Sequence, residues 1–286
     1  MRFSRLGIFT LILAAVFIGA NCSYYNRVLA RKNLVDGGTA YKDRKFQEAE
    51  NLFKSAIARD PNSDEGKIAQ VFLARTQHSE YIANRTIDAK AEEAIQTYKN
   101  VLAQNVNDQS SFKAVANLLT NLNKDDEWFK WVTDRTNNEQ VSPDNRSEAL
   151  TSLAAKQYSC ANDITDVEPV KKEVSKGSER VYQFTKPTDP NTYAELQKCV
   201  AAGTDLTDRA VKLDPESDSA WSYKANMLIQ QMRIAEMEGK NDQKEAFKKQ
   251  ADEAKASFTK LSEIKRQKKE EEERKKAEAE AAANKK

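Results

Sequence analysis

Turn-formers are scarce in this chain. It has 8 glycines and 6 prolines in 286 residues, and a sheet-rich fold needs a turn every few residues, so helices must carry most of the length. Histidine occurs once, at His78. That excludes zinc sites with several His ligands and leaves almost nothing for imidazole acid–base catalysis. Its neighbours Gln77, Ser79 and Glu80 predict a surface position on a helix. An excess of one charge is also missing: 46 basic residues face 44 acidic ones, for a net charge of +2. A nucleic-acid binder would carry a basic excess or face, so nucleic acid is not expected as a partner. There is no glycine-rich phosphate loop and no serine-nucleophile motif. Acidic residues are abundant but scattered, so no carboxylate pair stands out. The reading is non-enzymatic, with no cofactor and no metal. Cysteine occurs three times, at Cys22, Cys160 and Cys199, and neither of the last two has a close His or second Cys that would suggest a metal ligand set.

One long apolar run is present. Residues 6–20 are apolar, follow Arg2 and Arg5, and lead into Asn21-Cys22-Ser23. About fifteen residues is short for a full span, which needs roughly 20; a basic start and small residues after the run fit an export signal. A cysteine just past the run resembles the bacterial lipoprotein signal, which implies lipidation of Cys22. The sequence departs from that pattern at Gly19, Ala20 and Asn21, and Arg27, Arg31 and Lys32 follow closely. Three readings of 1–22 stay open: a lipoprotein signal, an uncleaved membrane anchor, or an ordinary cleaved signal. Each puts the bulk of the chain outside the cytoplasm, in the bacterial envelope and facing the periplasm. Ser23 stands where an aspartate would retain some lipoproteins at the inner membrane, which favours the outer one. In an oxidising compartment Cys160 and Cys199 form an even pair. A bridge between them would close a loop of about 40 residues, worth roughly 3–5 kcal/mol; two buried free thiols are the alternative.

A repeat runs through the rest. Ala56-Ile57-Ala58-Arg59-Asp60-Pro61-Asn62-Ser63-Asp64 reads like Ala210-Val211-Lys212-Leu213-Asp214-Pro215-Glu216-Ser217-Asp218. Each is the end of an amphipathic helix, an Asp-Pro stop, and a Ser cap opening the next helix. Ser142-Pro143-Asp144 is a weaker version. From Ala49, the residues at plus four, seven and twelve are Phe53, Ala56 and Pro61. This spacing resembles the second half of the tetratricopeptide repeat, and Gly38 and Tyr41 upstream have that family's Gly-x-x-Tyr spacing. Ala94 and Tyr98 repeat the offset of four, with Val101 and Val106 in place of the small residue and the proline; Ala210, Pro215, Trp221 and Ala225 match across a repeat junction. Ala94 follows Ala49 by 45 residues, against about 34 for the family, so an insertion falls near 81–89. Ala254, Phe258 and Leu261 suggest the second helix of the last unit. Between 109 and 138 a helix presents Phe112, Val115, Leu118, Leu119 and Leu122 on one face.

The resemblance implies an all-α, short solenoid of about five helix pairs over 25–264, a right-handed superhelix binding a protein or peptide in its concave surface. Residues 164–191, with Gly177, Pro187 and Pro190 and an extended segment at 181–184, read as an insertion on it. Residues 265–286 read as a charged helical or disordered tail. Trp128, Phe129 and Trp131 are either a docking patch or, with Trp128 and Trp131 three apart, helix–helix packing; packing is favoured. Two functions stay open: an envelope adaptor or scaffold, or a structural spacer with an N-terminal anchor and a charged C-terminal helix. A third, a solute-binding or enzymatic accessory role for the insertion, is weaker.

Overall fold

The structure is a computed structural model describing residues 5–177 and 179–283, with side chains described from Tyr24 onward apart from those at 176 and 179. Among the described residues there are ten helices and one two-stranded sheet. The chain forms two compact units, Met1–Trp128 and Phe129–Lys286.

The first unit holds α1 (Arg5–Lys42), α2 (Phe46–Arg59), α3 (Asp64–Ala83), α4 (Asp88–Gln104), α5 (Gln109–Asn121) and the start of α6 (Asp125–Asn137), within which the chain passes into the second unit. Each helix packs on the next as far as α5, and α1 also packs on α3. That is the tetratricopeptide arrangement: the first helix of a pair touches both its partner and the first helix of the following pair. Ala49 and Ala56 let the helices close up, and Phe53 fills the space between them, with Ala40, Ala69 and Leu73 completing the core. Phe53 stacks on Phe72 at 5.6 Å between ring centroids. The glycine that makes room for this ring is Gly37, where a Cβ would lie 2.7 Å from the Phe53 ring; a Cβ on Gly38 would meet nothing within 4 Å. The packing glycine is therefore one residue earlier than the Gly-x-x-Tyr spacing suggests.

The second unit holds the rest of α6, α7 (Pro143–Thr165), β1 (Lys171–Lys176), β2 (Glu179–Phe184), α8 (Pro190–Leu213), α9 (Asp218–Met237) and α10 (Asn241–Ala283). α7 packs on α8 and α9, α8 on α9, and α9 on α10. Ala161, Leu196, Val200 and Met227 form one core cluster, and Ala225, Leu228, Ala251 and Ala254 another. The α10 face is thus Phe247, Ala251 and Ala254, two turns N-terminal to the Ala254-Phe258-Leu261 set; Phe258 and Leu261 are only half-buried. Trp221 is half-buried against this cluster and donates its indole N–H to the Pro215 carbonyl at 2.9 Å.

Two kinds of turn make the repeat. Between pairs, an Asx residue accepts from its own backbone two positions on while its carbonyl accepts from the residue three on. This occurs at Asn105, Asn138 and Asp214, with side-chain bonds of 3.1, 3.0 and 3.1 Å. Asp60 makes the same backbone turn, and Ser63 then caps α3 by accepting from the Gly66 N–H at 3.1 Å. Ser217 caps α9 likewise through Ala220. Within pairs, a left-handed residue closes the helix: Arg44 at φ 60°, Asn123 at 56° and Gly239 at 71°, each followed by an N–H bonded back to the carbonyl five residues earlier. Two pairs depart from this. In one, α3 runs 20 residues to Ala83 and turns at Asn84, which accounts for the long spacing between Ala49 and Ala94. In the other, the β1–β2 hairpin replaces the turn, pairing Val174 with Val181 in antiparallel register.

The hairpin is fixed at two places. Cys160 on α7 and Cys199 on α8, the helices that flank it, are joined by a disulfide, S–S 2.00 Å. On β2 the Phe184 ring lies 4.5 Å from the Arg233 guanidinium of α9, and its N–H donates to Glu236 Oε1 at 3.3 Å. From Lys265 to Ala283 the tail is α10 itself, exposed and laced with pairs such as Arg274–Glu278 and Lys275–Glu271.

Candidate binding cleft

The first unit carries a solvent-open cleft of about 720 Å³ lined by Tyr41 and Lys42 at the end of α1, Arg44 in the turn, Phe46 of α2, Arg75, His78, Ser79, Ile82 and Ala83 of α3, and Tyr98 of α4. The long α3 makes it. α1 ends at Lys42, level with Ser79, whose hydroxyl lies 3.1 Å from the Tyr41 hydroxyl, and α3 continues another turn past that point. Residues 75, 78, 79 and 82 recur at helical spacing and form one stripe. Tyr41 is tilted against Phe46 and edge-on to Phe72, with centroids 5.9 and 6.3 Å away.

His78 is not on the open surface. It is half-buried, its ring edge-on to Tyr98 at 6.1 Å and its Nδ1 3.5 Å from the Tyr98 hydroxyl. The neighbours Gln77, Ser79 and Glu80 suggested exposure, but Gln77 is itself buried, bonded to Glu50 and Thr97. Burial pushes the His78 pKa below its ordinary value, and burial likewise pushes the Tyr98 phenol up. Both rings therefore stand neutral in the cleft at pH 7.

Three cations line the cleft: Lys42, Arg44 and Arg75. Among the described residues no carboxylate comes within ion-pair distance of any of them. Arg75 is steadied by the face of Phe72, 5.4 Å away. Its charge is felt by Asp108, whose carboxylate is committed to capping α5 through Ser110 and Ser111.

Of the residues picked out from sequence, Tyr41 and Tyr98 meet in this cleft. Ala49, Phe53, Ala56 and Ala94 are buried behind it, and Pro61 sits in the following turn. Ala210 and Ala225 are buried in the second unit, with Pro215 in the turn and Trp221 beside it. Trp128 is buried, Trp131 half-buried and Phe129 39% exposed. Cys22 lies within α1, but its side chain is outside the described residues, as is that of the whole run 6–20. Among the described residues no helix is long and apolar enough to cross a membrane, and no group of three His, Cys, Asp or Glu side chains could hold a metal ion.

By its helix pairing and its turns this is a tetratricopeptide-type helical-repeat fold. No family model matches the chain, and neither does any curated protein. Among solved structures it is similar to pilF of Pseudomonas aeruginosa, at 13% identity over 84% of this chain and 99% of that one, TM-score 0.37. It is also similar to MamA from Desulfovibrio magneticus RS-1, at 12% identity over 83% and 96%, TM-score 0.34. A tetratricopeptide repeat protein from Parabacteroides merdae ATCC 43184 aligns at 12% identity over 81% and 96%, TM-score 0.35. At these scores no role carries over from any of them.

Proposed function

We propose that this chain is a non-catalytic protein-interaction scaffold or adaptor of the bacterial cell envelope. Its N-terminal segment, lipidated at Cys22 or uncleaved, holds it to a membrane, and a segment of a partner protein docks in the first-unit cleft. The observation that carries this is the cleft itself: an open, aromatic-walled space on a rigid helical frame, within the 300–1,000 Å³ range of ligand pockets. None of its lining residues forms a nucleophile–base pair, and its one histidine faces a phenol with a raised pKa.

A photo-crosslinking residue placed at Ile82 in the native cell tests it, with the same residue at Lys276 of the tail as the control. One or two partners captured at Ile82 and absent at Lys276 support docking. Equal, diffuse capture at both sites would refute it. The spacer alternative is favoured by one feature, the exposed ion-paired end of α10. Deleting 265–286 separates the two: an adaptor keeps its partner, and a spacer loses its role.

A further inference from the structure

We infer that α1 seats the first unit directly on a lipid headgroup layer, with Tyr24, Tyr25 and Val28 as the contact. This rests on the membrane-anchoring half of the proposal above and adds the surface that meets the lipid. Two observations carry it.

The first is an exposed apolar face. Tyr24 is 71% exposed, Tyr25 61% and Val28 48%. Spacings of four and three residues put all three on one face of α1. The opposite side of the helix is committed to the protein: Ala30 and Ala40 are buried, and the Phe53 ring leaves no room for a Cβ at Gly37. A tyrosine can sink its ring among acyl chains and keep its hydroxyl in the wet headgroup region, which makes two adjacent exposed phenols a match to a membrane interface.

The second is the short, stiff connection to the anchor. α1 runs unbroken from Arg5 to Lys42, so Cys22 and this face share one helix. At 1.5 Å per residue, Tyr24 and Tyr25 stand about 3–5 Å along the axis from Cys22, and Val28 about 9 Å. The polar layer on each side of a bilayer is roughly 5–8 Å deep. The two rings fall within it whether Cys22 carries lipid or the apolar run stays attached. A flexible tether would be rich in glycine and serine, yet residues 24–36 contain no glycine, serine or proline. Ala30 is already fully buried, so packing of the first unit begins about 12 Å from Cys22. The unit therefore stands on the lipid at a fixed height.

Charge adds little to this contact. Arg27 is paired with Glu65 at 3.4 Å and Lys32 with Asp36 at 2.9 Å. The contact should hold in zwitterionic lipid and at high salt. A seam between two copies of the chain would run on through Lys32 to Val35 and set like charges face to face, so lipid is the occupant this face fits.

The test uses the full chain in phosphatidylcholine vesicles, with dansylalanine in place of Tyr25 or, as the control, of Val35. Val35 is also exposed on α1, but it lies about 20 Å from Cys22, beyond the polar layer. Flotation of the vesicles reports anchoring, and a lipid with a nitroxide headgroup reports contact. The chain should float, and the probe at position 25 should be quenched at least about threefold more than the probe at 35, at low and high salt alike. Tyr24→Ser with Val28→Ser should weaken the quenching at 25 without lowering the melting temperature. A floating chain quenched weakly at both positions would overturn the seating and leave the anchor intact. Strong quenching at both would overturn it in favour of a helix lying flat on the bilayer. Quenching at 25 only in phosphatidylglycerol at low salt would overturn the apolar contact in favour of charge. Weak quenching, with benzoylphenylalanine at position 25 crosslinking two copies, would overturn it in favour of a dimer seam. A chain that does not float would remove the anchoring reading as well.

Discussion

The two units solve the same packing problem with different materials. In the first, helix pairs close on alanine and one large ring, and their polar contacts are noncovalent. Glu50 is buried on α2, where it meets Lys54 at 2.6 Å, Lys90 at 3.0 Å and Gln77 at 3.3 Å. In the second, a pair is interrupted by a hairpin, and the chain is tied across that interruption by a disulfide and by Phe184 against Arg233. The lesson is that an insertion in a solenoid needs its own fastening. Where the extra residues merely lengthen a helix, as in α3, they produce a cleft. Where they leave the helix, as after α7, the flanking helices are joined by a covalent tie.

Breaking the first unit needs only its ring. Phe53→Ala would remove the side chain that α1, α2 and α3 share, and truncating a buried Phe typically costs about 3–5 kcal/mol. The expected outcome is a separate, early thermal transition assigned to the first unit, with cleft binding lost before the far-ultraviolet helical signal. Differential scanning calorimetry with partner capture at Ile82 checks it. A single transition shifted by less than about 1 kcal/mol would mean that the ring is not the keystone. The complementary break is Cys160→Ala with Cys199→Ala. The two cysteines are 39 residues apart, and a loop of that size gives about 3–4 kcal/mol in the loop-entropy account. The loss should fall on the second unit, so protease cleavage of the double variant should begin in the hairpin while partner binding in the first unit persists.

How much of this was legible follows from where the signals sit. Asp60-Pro61 and Asp214-Pro215 announce two turns because proline is unmistakable. The turns at Asn105 and Asn138 have the same backbone geometry with asparagine alone and were therefore hidden among ordinary polar residues. Alanine and aromatic spacing points to Ala49, Phe53 and Ala56, which lie buried on α2, while the opposing glycine is Gly37 and only the position of the Phe53 ring separates it from the adjacent Gly38. The hairpin was half visible: its second strand is rich in Val, Tyr and Phe, while Lys171–Lys176 carries one apolar residue and reads as a loop. The cleft was not legible. Its residues come from 41–46, 75–83 and 98, and its cations look like any surface charge until the fold gathers them. His78 follows the same logic, since its burial comes from Tyr98 of α4, twenty residues away.

The buried carboxylate sharpens the contrast at smaller magnitude. Burial opposes ionisation of Glu50, but hydrogen bonds from Lys54, Lys90 and Gln77 outweigh it, and its pKa falls below the ordinary value. Burial likewise opposes the Lys90 charge, and the carboxylates of Glu93, Glu50 and Glu80, to which its ammonium donates, reverse that and hold it protonated. For a carboxylate whose folded pKa lies below its unfolded value, the stabilisation is complete above the unfolded pKa and disappears as pH falls through the folded one. The first unit should therefore lose stability below about pH 4.5. Glu50→Gln should lower stability at pH 7 by about 1–3 kcal/mol and flatten that part of the acid limb. Chemical denaturation between pH 3 and pH 7, followed by a probe in the first unit, measures both. An unchanged acid limb in the variant would mean that the cluster is incidental to stability.

The smallest effect is expected from the tail, and it bears most directly on function. From 265 to 283 every described side chain is exposed, and its contacts are mostly ion pairs within α10, which are worth about 0.3–0.5 kcal/mol each and are screened by salt. Lys265 is the exception, reaching Asp218 of α9 at 2.9 Å. Deleting 266–286 keeps that bridge and should change the stability of the second unit by less than about 0.5 kcal/mol, while the helical signal falls in proportion to the residues removed. A larger loss would show that the end of α10 is part of the folded unit, and would weaken the case for a freestanding spacer. If stability holds and the partner captured at Ile82 is retained, the first-unit cleft alone accounts for binding. If stability holds and the partner is lost, the tail is itself a contact surface, and the charged helix belongs to the function of the chain alongside the cleft.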